Sequence, residues 1–576
     1  MKVTTLNGLN TSRDMIRQFQ GYNHELSAQE NEFFAMQNMS SDFYPLLSPR
    51  KKRGILASFD KPNGLFAKEK LMWVNGSNLY YNGALIGQVE DSSKQFVSMG
   101  AYVLIFPDKK RFHTKTLSLE SMEASFSTSG NVTYTLAKQD GTPYDTPAIS
   151  ATAPEEPKDG DLWMDTSSFP HVLKQYSAYS AAWVQIITTY IKIGSENIGT
   201  LFREGDGVTI QGSEIAELNT DILVQSSTKD SIVVIGLLDE TQMQQTPVTI
   251  SRTVPDMDFV VEANNRCWGC NSAKHEIYAC KLGDPLNWHC FAGLSTDSYA
   301  VTIGSDGDFT GAVSYLDYVL FFKEDKVHIV QGTAPANYHV SEQTLRGVEK
   351  GSAKSLAIVD ETLLYKSPDG ICAYTGGQPA ALYRPFGGVR YKNAVAGGVS
   401  GKYYVSMQDL QGNVHLFVYD LSRGLWHRED NLAVTDFVRL GQELYYLSPG
   451  GTLGTMLGSV GFYDGGNAGT EEEAVNWYVE TGDFGMDSPD QKTISRFLLR
   501  LQADQGTSIT VSMQYDSSGA WKAMRTITFT KKQSFTIPVI PQRCDHMRLR
   551  IAGTGACKIF SLSKETEGGS ELHGTF

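Results

Sequence analysis

From Ile55 onward apolar and polar residues alternate in short runs of period two, the pattern of strands that bury one face. Leu71-Met72-Trp73-Val74 and Leu79-Tyr80-Tyr81 flank Asn75-Gly76, and Asn82-Gly83 follows at once. Asn-Gly between alternating apolar runs is a strong local sign of a β-hairpin, so these segments predict a meander. The arrangement recurs with turns at Glu324-Asp325, Pro368-Asp369-Gly370, Gln411-Gly412-Asn413 and Pro449-Gly450-Gly451. Tyr315, Leu363, Tyr403 and Leu444, taken as equivalent, lie about 40–50 residues apart, the period of propeller blades. One four-stranded blade cannot cover both its faces, and radial stacking does so while leaving only short edges. Stacked sandwiches are the alternative, and they would not keep a steady period.

The pattern breaks in three places. Residues 1–54 read as an extended arm, with an amphipathic piece over 30–39 and a basic run, Arg50-Lys51-Lys52-Arg53. That run favours a solvated turn or an acidic partner face over a phosphate site. Residues 124–256 carry a polar, Pro-rich lead (Ala151 to Asp165) and a small strand pair with two tryptophans, which predicts a module inserted in the propeller. It departs near Gly141-Thr142-Pro143 and returns near Pro247 or Pro255. After about Gly465 the period stops, and alternating strands such as Ile509-Thr510-Val511-Ser512-Met513 predict a β-sandwich or jelly roll. The expected organisation is all-β: arm 1–54, first propeller part 55–123, inserted β module 124–256, remaining blades 257–465 and C-terminal sandwich 466–576.

Composition fits this picture. The 576 residues include 54 Gly and 27 each of Tyr and Phe, the turn formers and aromatics of a strand-rich chain. Fifty Lys and Arg against 64 Asp and Glu give a net charge of −14, which excludes nucleic-acid capture by the overall field. No stretch approaches the ~20 apolar residues of a membrane helix, and the first residues lack the apolar core of a secretory signal. Seven cysteines, an odd number, argue against a disulfide scaffold.

Chemistry-bearing clusters are few. Cys267, Cys270, Cys280 and Cys290, with His275 and His289, hold enough ligands for zinc, but only one close doublet is present, so buried apolar cysteines are expected. Pro368-Asp369-Gly370 after Ser367 resembles part of a sialidase blade turn, yet no carboxylate pair of the glycosidase kind stands out. Nucleophile elbows, phosphate loops and metalloprotease motifs are missing, and Asp306-Gly307-Asp308 is too short for a calcium loop. The expectation is a protein with no enzymatic activity, cofactor or metal. Trp163, Tyr176 and Trp183 are the candidate recognition residues, as a platform for sugar rings. The competing reading makes them the small module's own core.

The stretch Asn265-Arg266-Cys267-Trp268-Gly269, continued by Ile277-Tyr278 and Gly283-Asp284-Pro285-Leu286-Asn287-Trp288, resembles a pattern of phage virion proteins. Residues 316–330 resemble the blade that follows it there, and Asn38-Met39 with Pro49-Arg50 is similar to their opening arm. The family is the tail hub, or nozzle, of short-tailed phages, related to packaged-DNA stabilisation proteins. The resemblance covers residues 38–123 and 257–459. It implies a structural virion protein made in the bacterial cytoplasm, a ring of six copies below the portal adaptor, contacts with tail fibre or spike proteins, and a channel through which genomic DNA passes without sticking. The arm would then dock on the adaptor and become ordered on assembly. The segment around Gly160-Asp161-Leu162-Trp163 resembles small modules of phage tail fibres, and the C-terminal part is similar to sandwiches of gut-bacterial phage tail proteins. Those likenesses imply the alternative, a tail or head spike that recognises host surface glycans.

Overall fold

The computed structural model describes residues 11–461, 468–486, 493–542 and 544–567. Among them the regular structure is strand, apart from four single-turn 3-10 segments. The protein is a β-propeller with an inserted β domain and a C-terminal β-sandwich. It divides into two units, Met1–Ser93 with Phe322–Val327 and Gln343–Phe576, and Lys94–Phe321 with His328–Glu342.

Six blade sheets are antiparallel meanders whose strand order follows the chain: 62–88, 95–121, 259–302, 311–344, 357–381 and 391–428. Their first hairpins are tight. Asn264-Asn265, Leu316-Asp317 and Asp360-Glu361 all take the left-handed conformation, which matches the twist of the flanking strands. The seventh sheet, of Asp436–Leu440, Glu443–Leu447 and Thr452–Thr455, is completed from the opposite end of the chain by Gly54–Ser58, with Leu453 opposite Ala57. Residues 54–58 therefore belong to the last blade rather than to the first.

Sheets stack through apolar faces. In the first unit Leu65, Leu71 and Trp73 pack against Tyr445, Leu447 and Leu453, and Tyr404 and Val418 against Leu444 and Tyr446. In the second unit Val97, Leu104 and Phe106 meet Cys267, Tyr278 and Trp288. Trp268 and Ile277, on the other face of that sheet, meet Val319 and Phe321. Period-two alternation sends neighbouring residues to the two faces, which lets each sheet serve two cores.

The insertion is larger than a strand pair. An eight-stranded sheet runs from Ala124–Ser127 to Thr249–Arg252 around Val132, Tyr134, Ile191, Ile193, Val208 and Ile210. A separate four-stranded sheet, residues 148–185, is nested within it. The Gly141-Thr142-Pro143 segment marks the departure of this nested sheet and not that of the insertion. Its larger sheet is carried by the alternation of Ile191-Lys192-Ile193 and Val208-Thr209-Ile210.

The sandwich pairs a four-stranded sheet with a five-stranded one, and each takes a strand from the N-terminal region. Thr11–Ile16 pairs with Cys557–Glu567, and Phe33–Gln37 pairs with Asn476–Thr481. Phe19, Tyr22, Phe33, Met36, Met39 and Leu47 are buried in one core with Phe417, Trp426, Trp477 and Phe497. The expected free arm is thus corrected: from residue 11 on it is part of the fold, because its apolar side chains fill the space between blade and sandwich. Residues 1–10, and the expected blade–sandwich boundary at 465, lie outside the described residues.

Candidate functional site

The nested sheet places the three aromatic candidates together. Trp163 stands opposite Lys174, and Tyr176 opposite Trp183. The ring centroids of Trp163 and Trp183 are 5.5 Å apart, and those of Tyr176 and Trp183 are 5.4 Å apart, both edge to face. The alternate residues Leu162, Met164 and Leu173 point the other way and pack with Leu136, under Tyr144 and Leu237. The sheet therefore has its core on one face and its rings on the other. The three rings pack on one another as a second cluster, with Trp163 buried in it.

Polar groups fix the ring face. Trp163 donates from Nε1 to the Ser150 carbonyl at 3.0 Å, and Lys174 Nζ lies 4.7 Å from the centre of the Trp163 ring. The same ammonium pairs with Asp165 at 2.8 Å. Hydrogen bonds from Lys174 and Ser167 hold the Asp165 carboxyl down at about 2. Trp163 is 6 % exposed, while Tyr176 and Trp183 are half-buried, so two of the three rings offer surface. Such rings can take the C–H face of a saccharide.

The motif that carries the phage resemblance has a structural role in the second unit. Asn287 donates from Nδ2 to Asp284 at 2.7 Å and to Asp206 at 3.0 Å, and accepts the Gly207 N–H at 2.9 Å. Asp206 pairs with Arg252 at 2.6 Å, and Lys281 donates to the Gly205 carbonyl at 2.8 Å. The Gly-Asp-Pro-x-Asn-Trp loop is the clasp that holds the insertion on its blade.

The cysteines do not converge. Cys267 and Cys280 lie in the core toward the 95–121 sheet, Cys270 in the core toward the 311–344 sheet, and Cys290 beside Gly207. A spacing of three along a strand puts Cys267 and Cys270 on opposite faces. Burial pushes the Cys280 thiol up to about 12 and that of Cys290 to about 11, which keeps both protonated. His289 faces Asp221 at 3.3 Å. Among the described residues no three His, Cys, Asp or Glu side chains are placed to share a metal ion. The turn at Ser367 is closed by Ser367 and Gly370 bonding each other's backbone, with the Asp369 carboxylate turned to Arg346 at 3.4 Å.

The basic run divides. Arg50 and Arg53 are buried against Glu429, Asp430 and Glu472, whereas Lys51 and Lys52 stay exposed. The acidic face expected for this run belongs to the same chain. Periodicity could not show it, because the partners lie more than 370 residues away (separations of 376, 377 and 422).

No family model matches the chain, and no curated sequence does. Solved structures similar to it include an exo-β-1,3-galactanase from Phanerochaete chrysosporium, 11 % identical, covering 52 % of this chain and 92 % of that one, with a TM-score of 0.21. BamB from Moraxella catarrhalis is 14 % identical over 53 % of this chain and 92 % of its own, with a TM-score of 0.21. A family 43 arabinoxylan arabinofuranohydrolase from Bacillus subtilis is 10 % identical over 65 % and 92 %, with a TM-score of 0.15. The expectation that the chain is not an enzyme is corrected by these matches. Glycoside hydrolases stand among the solved structures similar to it.

Proposed function

We propose that the protein is a structural component of a phage tail, a subunit of the hub or nozzle ring below the portal adaptor. One observation supports this most: the N-terminal segment, a blade and the sandwich share a single core, and buried charges pin the arm between them. A stiff body of this kind can repeat a heterologous contact around an axis until the ring closes. The acidic balance of −14 suits a wall along which DNA slides. An epitope tag on this chain, imaged by low-resolution electron microscopy of intact particles, tests the proposal. Label around the tail axis is expected. Label on side fibres, or its absence from particles, overturns it.

The outward ring face of the nested sheet supports a second reading, a spike that recognises bacterial surface glycans. Because the module's core lies on its other face, Trp183→Ala is expected to leave the module folded, at a cost of about 1–3 kcal/mol for its two edge-to-face ring contacts. On a glycan array it should abolish binding. An array signal that survives both Trp183→Ala and Trp163→Ala rules this reading out.

A further inference from the structure

We propose that a groove between the N-terminal segment and the C-terminal sandwich binds an acidic, partly apolar peptide segment of a partner protein. The groove has a volume of about 650 Å³ and lies within the first unit. Four lysines line it, Lys51, Lys52, Lys532 and Lys558, against two carboxylates, Glu473 and Asp504. Arg50 also borders it, but its guanidinium is spent on Glu472 and Asp430. Lys532 pairs with Asp504 at 3.0 Å, while Lys51 and Lys558 enter no salt bridge among the described residues. A cationic groove on a chain of net charge −14 stands apart from the overall field and is complementary to carboxylates.

Two further features separate a peptide from other polyanions. Buried Val475 and Cys557, with Phe43 and Pro49, give the groove an apolar lining that a phosphate chain could not use. The Phe43 ring is covered by Lys558 Nζ, 3.6 Å from its centre, so it offers no free platform for a base. Ser48 also lines the groove. It is 1 % exposed, and its Oγ has no hydrogen-bond partner in the structure. A buried hydroxyl left without a partner carries a cost that a peptide carbonyl seated beside it removes. Lysines, apolar lining and hydroxyl together call for carboxylates flanking one large apolar side chain on an extended backbone.

The test probes an array of random octapeptides with the full chain. The bound set should be enriched in Asp and Glu beside a large apolar residue. For the best peptide, the Lys51→Glu, Lys532→Glu double variant should lose at least about tenfold in affinity at physiological salt. Ser48→Ala should lose a few-fold in affinity with an unfolding midpoint no lower than that of wild type. Bound peptides without acidic enrichment, or variants that bind as wild type does, overturn the proposal. So does an oligothymidine strand that displaces the peptide and shows the same lysine dependence. None of these outcomes bears on where the protein sits in a particle.

Discussion

Glu429→Ala is expected to lower the stability of the first unit by about 3–5 kcal/mol, because it leaves two buried arginines short of a carboxylate. Arg53 reaches Glu429 at 2.5 Å and Asp430 at 2.8 Å, and Arg50 grips Glu472 with two nitrogens at 2.7 and 2.9 Å. The side chains of Arg50, Arg53 and Glu429 are only 4–6 % exposed. Taking such charges out of water costs several kcal/mol per ion, and close pairing offsets this only while every partner is present. Burial pushes the Glu429 carboxyl up even though Arg53 and Arg50 oppose it. For Asp430 burial acts the same way, but the two arginines outweigh it and hold that carboxyl below its usual range. Replacing Arg53 and Glu429 together by Met and Leu should cost less than Glu429→Ala alone. Urea unfolding midpoints measure both, and an alanine variant within 1 kcal/mol of wild type would show the cluster to be wet.

A second large effect is loss of stability in mild acid. His427 is 5 % exposed on the outer strand of the 391–428 blade, and Gly21 of the N-terminal segment runs close beside that strand. Burial, aided by the ammonium of Lys402, lowers its pKa to about 4, with Asp420 and Asp42 pulling weakly the other way. The unfolded chain takes up this proton near 6.5, and the folded protein only near 4. The stabilisation is therefore complete above pH 6.5 and is lost as pH falls toward 4, by about 3 kcal/mol in all. His415, whose pKa is also lowered chiefly by burial, adds in the same sense. Urea midpoints at pH 7.5, 5.5 and 4.5 should fall steadily in wild type and much less in His427→Gln. Equal slopes for the two proteins would mean that other groups govern the acid response.

What the sequence made legible follows the range of each interaction. Hairpins, blade strands and the sandwich strands are local matters of alternation and turn residues, and Asn82-Gly83 or Ile509-Thr510-Val511 announces them directly. The partner of Gly54–Ser58 is not local, and neither is the carboxylate cluster around Arg53. A five-residue strand reads the same whether it opens one sheet or completes another. Among candidate sites, Trp163, Tyr176 and Trp183 could be picked out by residue type, but the face they occupy depends on which alternate residues meet Leu136 and Leu237. The lysine groove has no local signature, because Lys51, Lys532 and Lys558 are neighbours only after folding.

Threading both sandwich sheets with N-terminal strands sets a timetable for synthesis. Arg13 meets Glu565 across a separation of 552 residues, so residues 557–567 must be made before residues 11–16 find their place. Until then Phe19, Phe33 and Met36 have no core to enter, and such late, distant pairings make folding slow and the nascent chain prone to association. Removal of either residues 11–16 or residues 557–567 should thus be felt at both places.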